Sequence, residues 1–389
     1  MSIDTLFSKT TKLKNFKLYL DNYEIPMDDI LDVTISNSLL SFGMNALIIF
    51  RDSNSLLNSK KITLDEKLTI KFEVNDRFDS YEKFLFKISN TSVTSEESRT
   101  TFISIQAIDP ITYAMKNLYL AKSFNTDMCS AFREIFSNYK YNEELSKLGL
   151  KLDLVKCNKV QHFTWTSNKN AYDFFKEYGR LSNVRMWYDF NNLHVKEFDL
   201  QKEKAKYPLK CKSGEIEYTD TCYNTNYAFR IHQYKKGGLN HQQLMELTPA
   251  QEVIRFKGKS VNRETVNLND FYSSLVLNGN NDFSTFQNTS GKRSNIRVDS
   301  VEAQKYDLFD AFMHLNTLNI IVPGSLKYNC AGYIVNVKLG DKTPYRKQQL
   351  KGDNAASGKY LILGTESRFI KGHFHQLLML GRFDKPKSY

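Results

Sequence analysis

The chain has 389 residues, with 54 Lys or Arg against 43 Asp or Glu, and its formal net charge at pH 7 is +11. Hydrophobic residues make up 41% of it, enough to bury a core, which excludes a chain that is disordered throughout. The longest apolar stretch is residues 46–50, so no run of about 18 apolar residues is available for a helix that crosses a bilayer.

The N-terminus and the cysteines indicate a chain that stays in the compartment where it is made. Residues 1–14 lack the apolar core of a secretory signal. The five cysteines lie far apart, without the C-x-x-C spacing of a zinc or redox site. We expect them to be reduced and mostly buried. They are Cys129, Cys157, Cys211, Cys222 and Cys330.

The basic excess is scattered along the chain. Its densest stretches are residues 202–206, the pair Lys257 and Lys259, and residues 342–351. None forms a helix-long basic stripe or a groove-reading motif. We interpret these residues as solvated surface, while non-specific nucleic-acid binding stays an alternative that the net charge permits.

Residues 16–110 show the alternation of apolar and polar residues that is typical of β-strands. Six short runs alternate, and polar turns separate them, which predicts an antiparallel sheet closed into a small barrel or a sandwich. The runs are residues 16–20, 31–36, 45–50, 68–74, 84–88 and 101–107. The predicted core residues are Leu31, Val33, Ile35, Ile103 and Ile105.

The next part of the chain has helical spacing. Asn125 or Thr126 is a candidate N-cap, with Asp127 in the first turn of the predicted helix. A second predicted helix follows Asn168. A strand pair comes next, with its turn at residues 191–192, where asparagines tolerate the left-handed conformation of a tight hairpin.

β-type alternation returns beyond Pro208, with strands predicted at residues 227–232 and 253–256. A helix is predicted from Ser300. Its predicted buried residues are Val301, Tyr306, Leu308, Phe309, Phe312, Leu315 and Leu318. Strands follow at residues 320–324, 333–337 and 360–383, the last being a hairpin with its turn at Lys371 and Gly372. Residues 278–291 and 340–358 lack apolar periodicity and are our candidates for partner contact.

The predicted fold class is α+β, with two antiparallel β-barrel-like domains and inserted α/β units. The predicted domains are a first barrel at 1–110, an α/β domain at 111–205, a second barrel at 206–239 with 318–389, and an inserted, partly helical region at 240–317. We assign the closing hairpin and the strand at 334–337 to the second barrel. The predicted buried residues of the hairpin are Leu361, Leu363, Phe369, Phe374, Leu378 and Leu380.

Motifs of catalysis and cofactor binding do not occur in the sequence. It has no G-x-S-x-G, H-E-x-x-H, P-loop or G-x-G-x-x-G motif, so we predict no enzyme and no cofactor. His373 and His375 share a strand face, but a metal pair there needs a third ligand such as Glu366. A surface or interface role of the two histidines is favoured, and we predict no metal site.

Paired carboxylates and tryptophans are the remaining candidates. The adjacent pairs at 28–29 and 143–144 cannot set the separation that glycoside cleavage needs, and we expect them in solvated turns. Trp165 and Trp187 could stack on a ligand, although their apolar and aromatic neighbours favour burial in a core.

The order of elements resembles the central hub protein of contractile-phage baseplates, a family that includes the hub part of type VI secretion spike proteins. Three segments carry the resemblance: a short motif, a helix and two strands that end in an aspartate; a helix with paired strands; and a final hairpin. They are residues 163–189, 300–335 and 360–384.

The resemblance implies a homotrimer whose six β-barrels form a pseudo-sixfold ring, a structural adaptor between the sixfold tail tube and the threefold central spike. The implied partners are a separate spike protein, since no spike segment is fused, the tail tube or its initiator, wedge proteins and the tape-measure protein. DNA would only pass through the lumen, and no membrane insertion is expected. The implied location is the baseplate of the virion tail, assembled in the host cytoplasm. A cell-wall-degrading or carbohydrate-binding tail protein is the alternative, given the 27 Phe, 22 Tyr and 2 Trp.

Overall fold

The computed structural model describes residues 11–53, 56, 62–63, 66–74, 81–95, 101–155, 161–189, 192–198, 207–210, 217–223, 306, 309–310, 313–314, 316–325, 329–338 and 358–382. These residues form a mostly antiparallel β-structure with few helices, as the alternation in the sequence predicts. No helix among them is long and apolar enough to span a membrane.

The first β unit contains all six predicted strands and a short additional one. A 3-10 helix, Met27–Asp29, precedes β3. The strands are β1 (Thr11–Leu20), β2 (Tyr23–Ile25), β3 (Ile30–Ser38), β4 (Met44–Arg51), β5 (Lys67–Val74), β6 (Tyr81–Ser95) and β7 (Thr101–Ile108).

The predicted core of this unit is confirmed except at one position. Val33, Ile35, Ile103 and Ile105 are buried, whereas Leu31 is only half-buried. The cause is a β-bulge: Ile30 pairs with Phe50 and Asp32 with Ile49, which leaves Leu31 as the extra residue. A bulge interrupts the alternation of faces, so Ile30 takes the core position.

The α/β unit packs four helices with two small sheets. In one sheet β8 pairs with β10, and in the other β12 lies between β11 and β9, parallel to β9. The elements are α1 (Pro110–Asn117), β8 (Lys122–Thr126), α2 (Met128–Asn138), α3 (Tyr141–Leu148), β9 (Lys151–Leu154), β10 (Gln161–Trp165), α4 (Ala171–Ser182), β11 (Arg185–Tyr188) and β12 (Asn192–Lys196).

Two helices begin a few residues later than the sequence predicts, each after a residue whose side chain caps it. Asp127 is itself the N-cap of α2, because its side chain accepts the amide N–H of Ser130, while the predicted caps belong to β8. Asn170 caps α4 in the same way. The predicted hairpin is present, with Tyr188 opposite Leu193, and Asn192 of its predicted turn already belongs to β12.

The second β unit combines strands from both sides of the predicted insertion. Its core contains Leu318, which therefore belongs to a strand and not to the predicted helix. The strands are β13 (Tyr207–Lys210), β14 (Glu217–Tyr223), β15 (Asn316–Pro323), β16 (Ile334–Lys338), β17 (Gly358–Ile370) and β18 (His373–Arg382). Before β15, Tyr306, Phe309 and Met313 are helical, in agreement with the helix predicted there.

The hairpin of β17 and β18 pairs with strands of both β units. Its turn is Lys371 and Gly372, as predicted, and both have the positive φ of a type I′ turn (46° and 77°). β17 pairs with β3 and β18 with β1, which closes a ring of eight strands in the order β17-β3-β4-β7-β6-β5-β1-β18. The same two strands pair with β16 and β15, to which β13 and β14 add. The two strands of the hairpin therefore belong to both β units.

Several predictions concern residues that the structure does not describe. The strands at 227–232 and 253–256, the segment 278–291, residues 340–357 and the three dense basic stretches lie outside the described residues. The predicted domain boundaries and the scatter of basic charge stay predictions. Of the cysteines, Cys129 and Cys330 are buried thiols, as expected.

Candidate functional site

The central feature of the described structure is the hairpin junction, which we define as β17, β18 and the side chains of both β units that contact them. Near the turn, the rings of Phe369 and Phe374 stack with their centroids 4.6 Å apart. Phe72 of the first unit lies 4.8 Å from Phe369 and 5.9 Å from Phe374, and Phe16 lies 5.5 Å from Phe369. This end of the hairpin belongs to the core of the eight-stranded ring.

The other end of the hairpin belongs to the core of the second unit. Tyr360, Ile362, Leu378 and Leu380 cluster there with apolar residues of β15 and β16. All six hairpin residues predicted to be buried are buried. One hairpin thus supplies side chains to two cores.

Gly324, at the end of β15, brings the second unit against the hairpin. A Cβ atom at this position would lie 2.3 Å from the ring of Phe374, so only glycine fits without a shift of that ring. The carbonyl of Gly324 accepts a hydrogen bond of 2.9 Å from the hydroxyl of Thr11 on β1. The first and second units therefore meet directly at this point.

A buried amide fixes the chain after β15 to the hairpin. Gln376 is 1% exposed, and its Oε1 accepts the amide N–H of Ser325 at 2.7 Å and Nδ2 of Asn329 at 2.9 Å. Its Nε2 donates to the hydroxyl of Ser367 at 2.9 Å. Because a buried polar group is costly without partners, these bonds specify a single position for this segment.

A buried carboxylate joins the first unit to the α/β unit. Asp109 is the N-cap of α1, and its Oδ1 accepts the amide N–H of Thr112 and the hydroxyl of Tyr188, both at 2.8 Å. Its Oδ2 accepts the amide N–H of Met44 at 2.9 Å. Burial raises the pKa of Asp109, and these hydrogen bonds oppose the rise. One carboxylate thus holds α1, β4 and β11 together.

A network around His194 ties the α/β unit to the second β unit. Its Nδ1 lies 2.6 Å from Oδ2 of Asp153, and its Nε2 lies 2.7 Å from Oδ2 of Asp189. Lys196 donates to Asp153 at 2.7 Å, and the hydroxyl of Tyr333 donates to Asp189 at 3.5 Å. Desolvation alone would raise the pKa of Asp153, but the hydrogen bonds and charges of Lys196 and His194 outweigh it and lower that pKa.

Trp187 and Arg185 complete this contact. A Cβ atom on Gly332 would lie 2.7 Å from the indole nitrogen of Trp187, so the second unit approaches the indole through a glycine with a φ of +83°. The guanidinium of Arg185 is buried between two rings, 3.8 Å from the centroid of Tyr306 and 4.3 Å from that of Phe309. These cation–π contacts hold the helical residues before β15 against β11.

The predicted histidine pair lies on β18 at the hairpin junction. His375 is buried, and desolvation together with the charge of Arg368 lowers its pKa, while His373 is half-buried. Within the described ranges, no three His, Cys, Asp or Glu side chains are grouped so that they could hold a metal ion.

The other candidates have structural roles. Both tryptophans are buried as predicted, at 0% exposure for Trp165 and 3% for Trp187. Glu143 and Glu144 were expected in a solvated loop turn, and this prediction is wrong. They lie in the first turn of the helix α3, where the helix dipole favours acidic residues. Asp29 ends the 3-10 helix, where it is buried and accepts a hydrogen bond from Ser53.

No protein-family model and no curated protein sequence matches the chain. Solved structures share its fold over nearly its whole length, among them the following three. A 43 kDa tail protein of prophage MuSo2 from Shewanella oneidensis is 11% identical, with a TM-score of 0.50, and the match covers 94% of this chain and 97% of that one. A tail protein from Neisseria meningitidis is 10% identical, with a TM-score of 0.52 and coverage of 94% and 96%.

The third structure is an E. coli component of the type VI secretion system, described as similar to tail proteins of bacteriophage T4. It is 9% identical, with a TM-score of 0.51, and the match covers 96% of this chain and 78% of that one. At these identities the likeness concerns the fold. The predicted resemblance to the family of tail hub proteins is confirmed at that level.

Proposed function

We propose that the chain is the central hub of a phage tail baseplate, a structural component without catalytic activity that acts as a homotrimer. The observation that carries the proposal is the shared fold with two tail proteins, which extends over almost the full length of both chains. The partners we propose are the central spike, the tail tube or its initiator, the wedge proteins and the tape-measure protein. DNA passes through the lumen, and assembly takes place in the host cytoplasm.

The arrangement of the two β units supports a role as a symmetry adaptor. Each chain contributes two β units that share one hairpin, so three chains around a threefold axis would present six such units. A sixfold tube can then bind to one side of the ring and a threefold spike to the other.

Two edge strands are candidates for the contacts between neighbouring chains of the ring. Among the described strands, β13 (Tyr207–Lys210) and β14 (Glu217–Tyr223) each pair with one neighbour only and end the sheet on its two sides. An open edge can pair with a strand from another chain through main-chain hydrogen bonds. We propose that neighbouring chains of the trimer meet at these edges.

Sedimentation equilibrium at micromolar concentration tests the proposal. We expect a mass three times the 45.2 kDa of the chain and six lobes around a central opening in electron-microscopic class averages. A chain that stays monomeric at this concentration, or a ring with another number of lobes, would contradict the proposed hub.

A further inference from the structure

One half of β6 has an open side. The strand has 15 residues, Tyr81–Ser95. It pairs with β5 only over residues 81–87 and with β7 only over residues 87–95. Along residues 89–95, the main-chain groups that point away from β7 therefore have no strand partner among the described residues. A row of unpaired N–H and C=O groups is a template for one more strand.

The open half of β6 lacks the features that protect an edge strand. Its sequence is SNTSVTS, with no charged residue and no proline. Charged side chains, lysine above all, and prolines are the usual means by which proteins keep an exposed edge from pairing. The side chains of residues 89, 90 and 92–94 are exposed, so the described part of the chain does not cover this edge.

Val93 shows that the core face of the sheet is uncovered at this edge. It lies opposite Ile103, which is 0% exposed, and Ile103 lies opposite Phe50 in the core of the eight-stranded ring. Directly opposed residues of neighbouring strands share a face, so Val93 belongs to the core side, yet it is 53% exposed. An added strand would continue this row and remove Val93 from water.

A second copy of the chain has a strand that fits this edge. β14 has seven residues, as many as the open half of β6, contains no proline and pairs only with β15 among the described strands. β13 fits less well, because it has four residues and includes Pro208, which has no N–H to donate.

The order of strands requires that the two edges come from different chains. Within one chain, β5, β1, β18 and β15 lie between β6 and β14. In the first β unit, β2 also pairs with one strand only, but it has three residues. The open half of β6 is therefore the longest free edge that the described strands of this unit offer to another chain.

We propose that residues 89–95 of β6 pair with β14 of a second copy of the chain. This inference rests on the proposed function, since it specifies how neighbouring chains of the hub meet. The first β unit of one chain contacts the second β unit of the next, a heterologous contact that closes into a ring when three copies repeat it. The two kinds of β unit then alternate around the ring.

Two exposed valines provide a matched test of the contact. Val93 is 53% exposed at the open edge, and Val155 is 52% exposed just after β9 in the α/β unit. Val93→Lys places an unpaired charge in the proposed contact, so we expect it to weaken self-association about tenfold or more in sedimentation equilibrium. Val155→Lys should leave self-association unchanged. Circular dichroism of both variants checks that the fold is intact.

Chemical cross-linking identifies the partner strand. Ser92 is exposed on β6, and β14 contains Cys222. In a mixture of isotope-labelled and unlabelled chains, Ser92→Cys treated with a short bismaleimide should link position 92 of one chain to Cys222 of another. Cys222→Ser in this background should abolish the link. Ser123→Cys is the control, since Ser123 is an exposed serine of β8 outside the edge, and it should give no link to Cys222.

The outcomes separate this contact from the proposed function. A trimer in which Val93→Lys and Val155→Lys assemble equally well would overturn the contact and leave the proposed hub standing. A link from position 92 to a residue outside β14 would overturn the choice of partner strand. A parent chain that stays monomeric would contradict the hub, and the contact with it.

Discussion

His194 connects three strands through its two ring nitrogens, because Asp153 lies on β9, Asp189 follows β11 and His194 itself lies on β12. A neutral imidazole has one N–H donor, so both contacts are hydrogen bonds when each nitrogen carries a proton. Lys196 places a positive charge beside Asp153. The cluster therefore depends on carboxylates that stay ionised.

The pKa of Asp153 predicts how stability depends on pH at this position. Because that pKa lies below its ordinary value of 3.8 in the folded chain, the carboxylate stabilises the fold above pH 3.8, and this contribution is lost as the pH falls through the folded-state value. We expect Asp153→Asn to lower the free energy of unfolding at neutral pH by about 1 kcal/mol or less, since the group is partly exposed. Urea unfolding across a pH series should show this difference shrinking in acid.

Asp28→Asn is a suitable control, because Asp28 is exposed on the 3-10 helix. It should leave the free energy of unfolding almost unchanged at every pH. A difference between Asp153→Asn and the parent that is the same at neutral and at acidic pH would refute the role of the ionised carboxylate.

Some of these residues have a signal in the sequence and others have none. Asp109 followed by Pro110 is the sequence signature of an N-cap and a first helical proline, so α1 could have been predicted from it. The pairing of His194 with Asp153 could not, since 41 positions separate them and no local pattern links two such residues. Neighbouring residues in the sequence predict a helix cap, whereas the contact of His194 with Asp153 depends on how the strands pack in the folded chain.

At the scale of elements, the strand β17 shows why the hairpin was predicted but its double role was not. Residues 360–363 form a continuous run of buried residues rather than an alternation. Such a run indicates a strand that is covered on both faces. It does not say which strands lie beside it, because β3, the strand of the first unit that pairs with β17, is more than 300 residues away along the chain.

Leu378 and Met379 test the assignment of the hairpin faces. Leu378 is 0% exposed in the core of the second unit, whereas the neighbouring Met379 is 44% exposed on the outer face. We expect Leu378→Asp to cost about 4 kcal/mol or more, because it buries a charge without a partner, and to abolish the proposed soluble trimer. Met379→Asp should change the free energy of unfolding by no more than about 0.5 kcal/mol.

Thermal unfolding and sedimentation of the two variants measure these effects. Equal losses of stability in both variants would mean that the two faces of β18 are assigned incorrectly. Normal assembly of Leu378→Asp would show that the hairpin does not belong to the core of the second unit.

At the scale of the whole molecule, the three units are joined at separate points. The hairpin is common to both β units, Asp109 joins the α/β unit to the first β unit, and the contacts of Trp187 and Tyr333 join it to the second. Opening any one unit therefore exposes apolar or polar groups of another. Units that share a core element are expected to unfold together.

We predict that the described part of the chain unfolds in one cooperative transition. Trp187→Phe leaves Trp165, in the core of the α/β unit, as the single tryptophan, while far-UV circular dichroism follows the β-sheet of both β units. The midpoints of the two signals in urea should coincide.

Phe374→Ala in this background removes a ring from the hairpin junction and should cost about 3–5 kcal/mol. If the units are coupled as described, it lowers the midpoint of the distant Trp165 signal and of the sheet signal equally. A Trp165 midpoint that stays in place while the sheet signal shifts would show that the α/β unit is an independent folding unit.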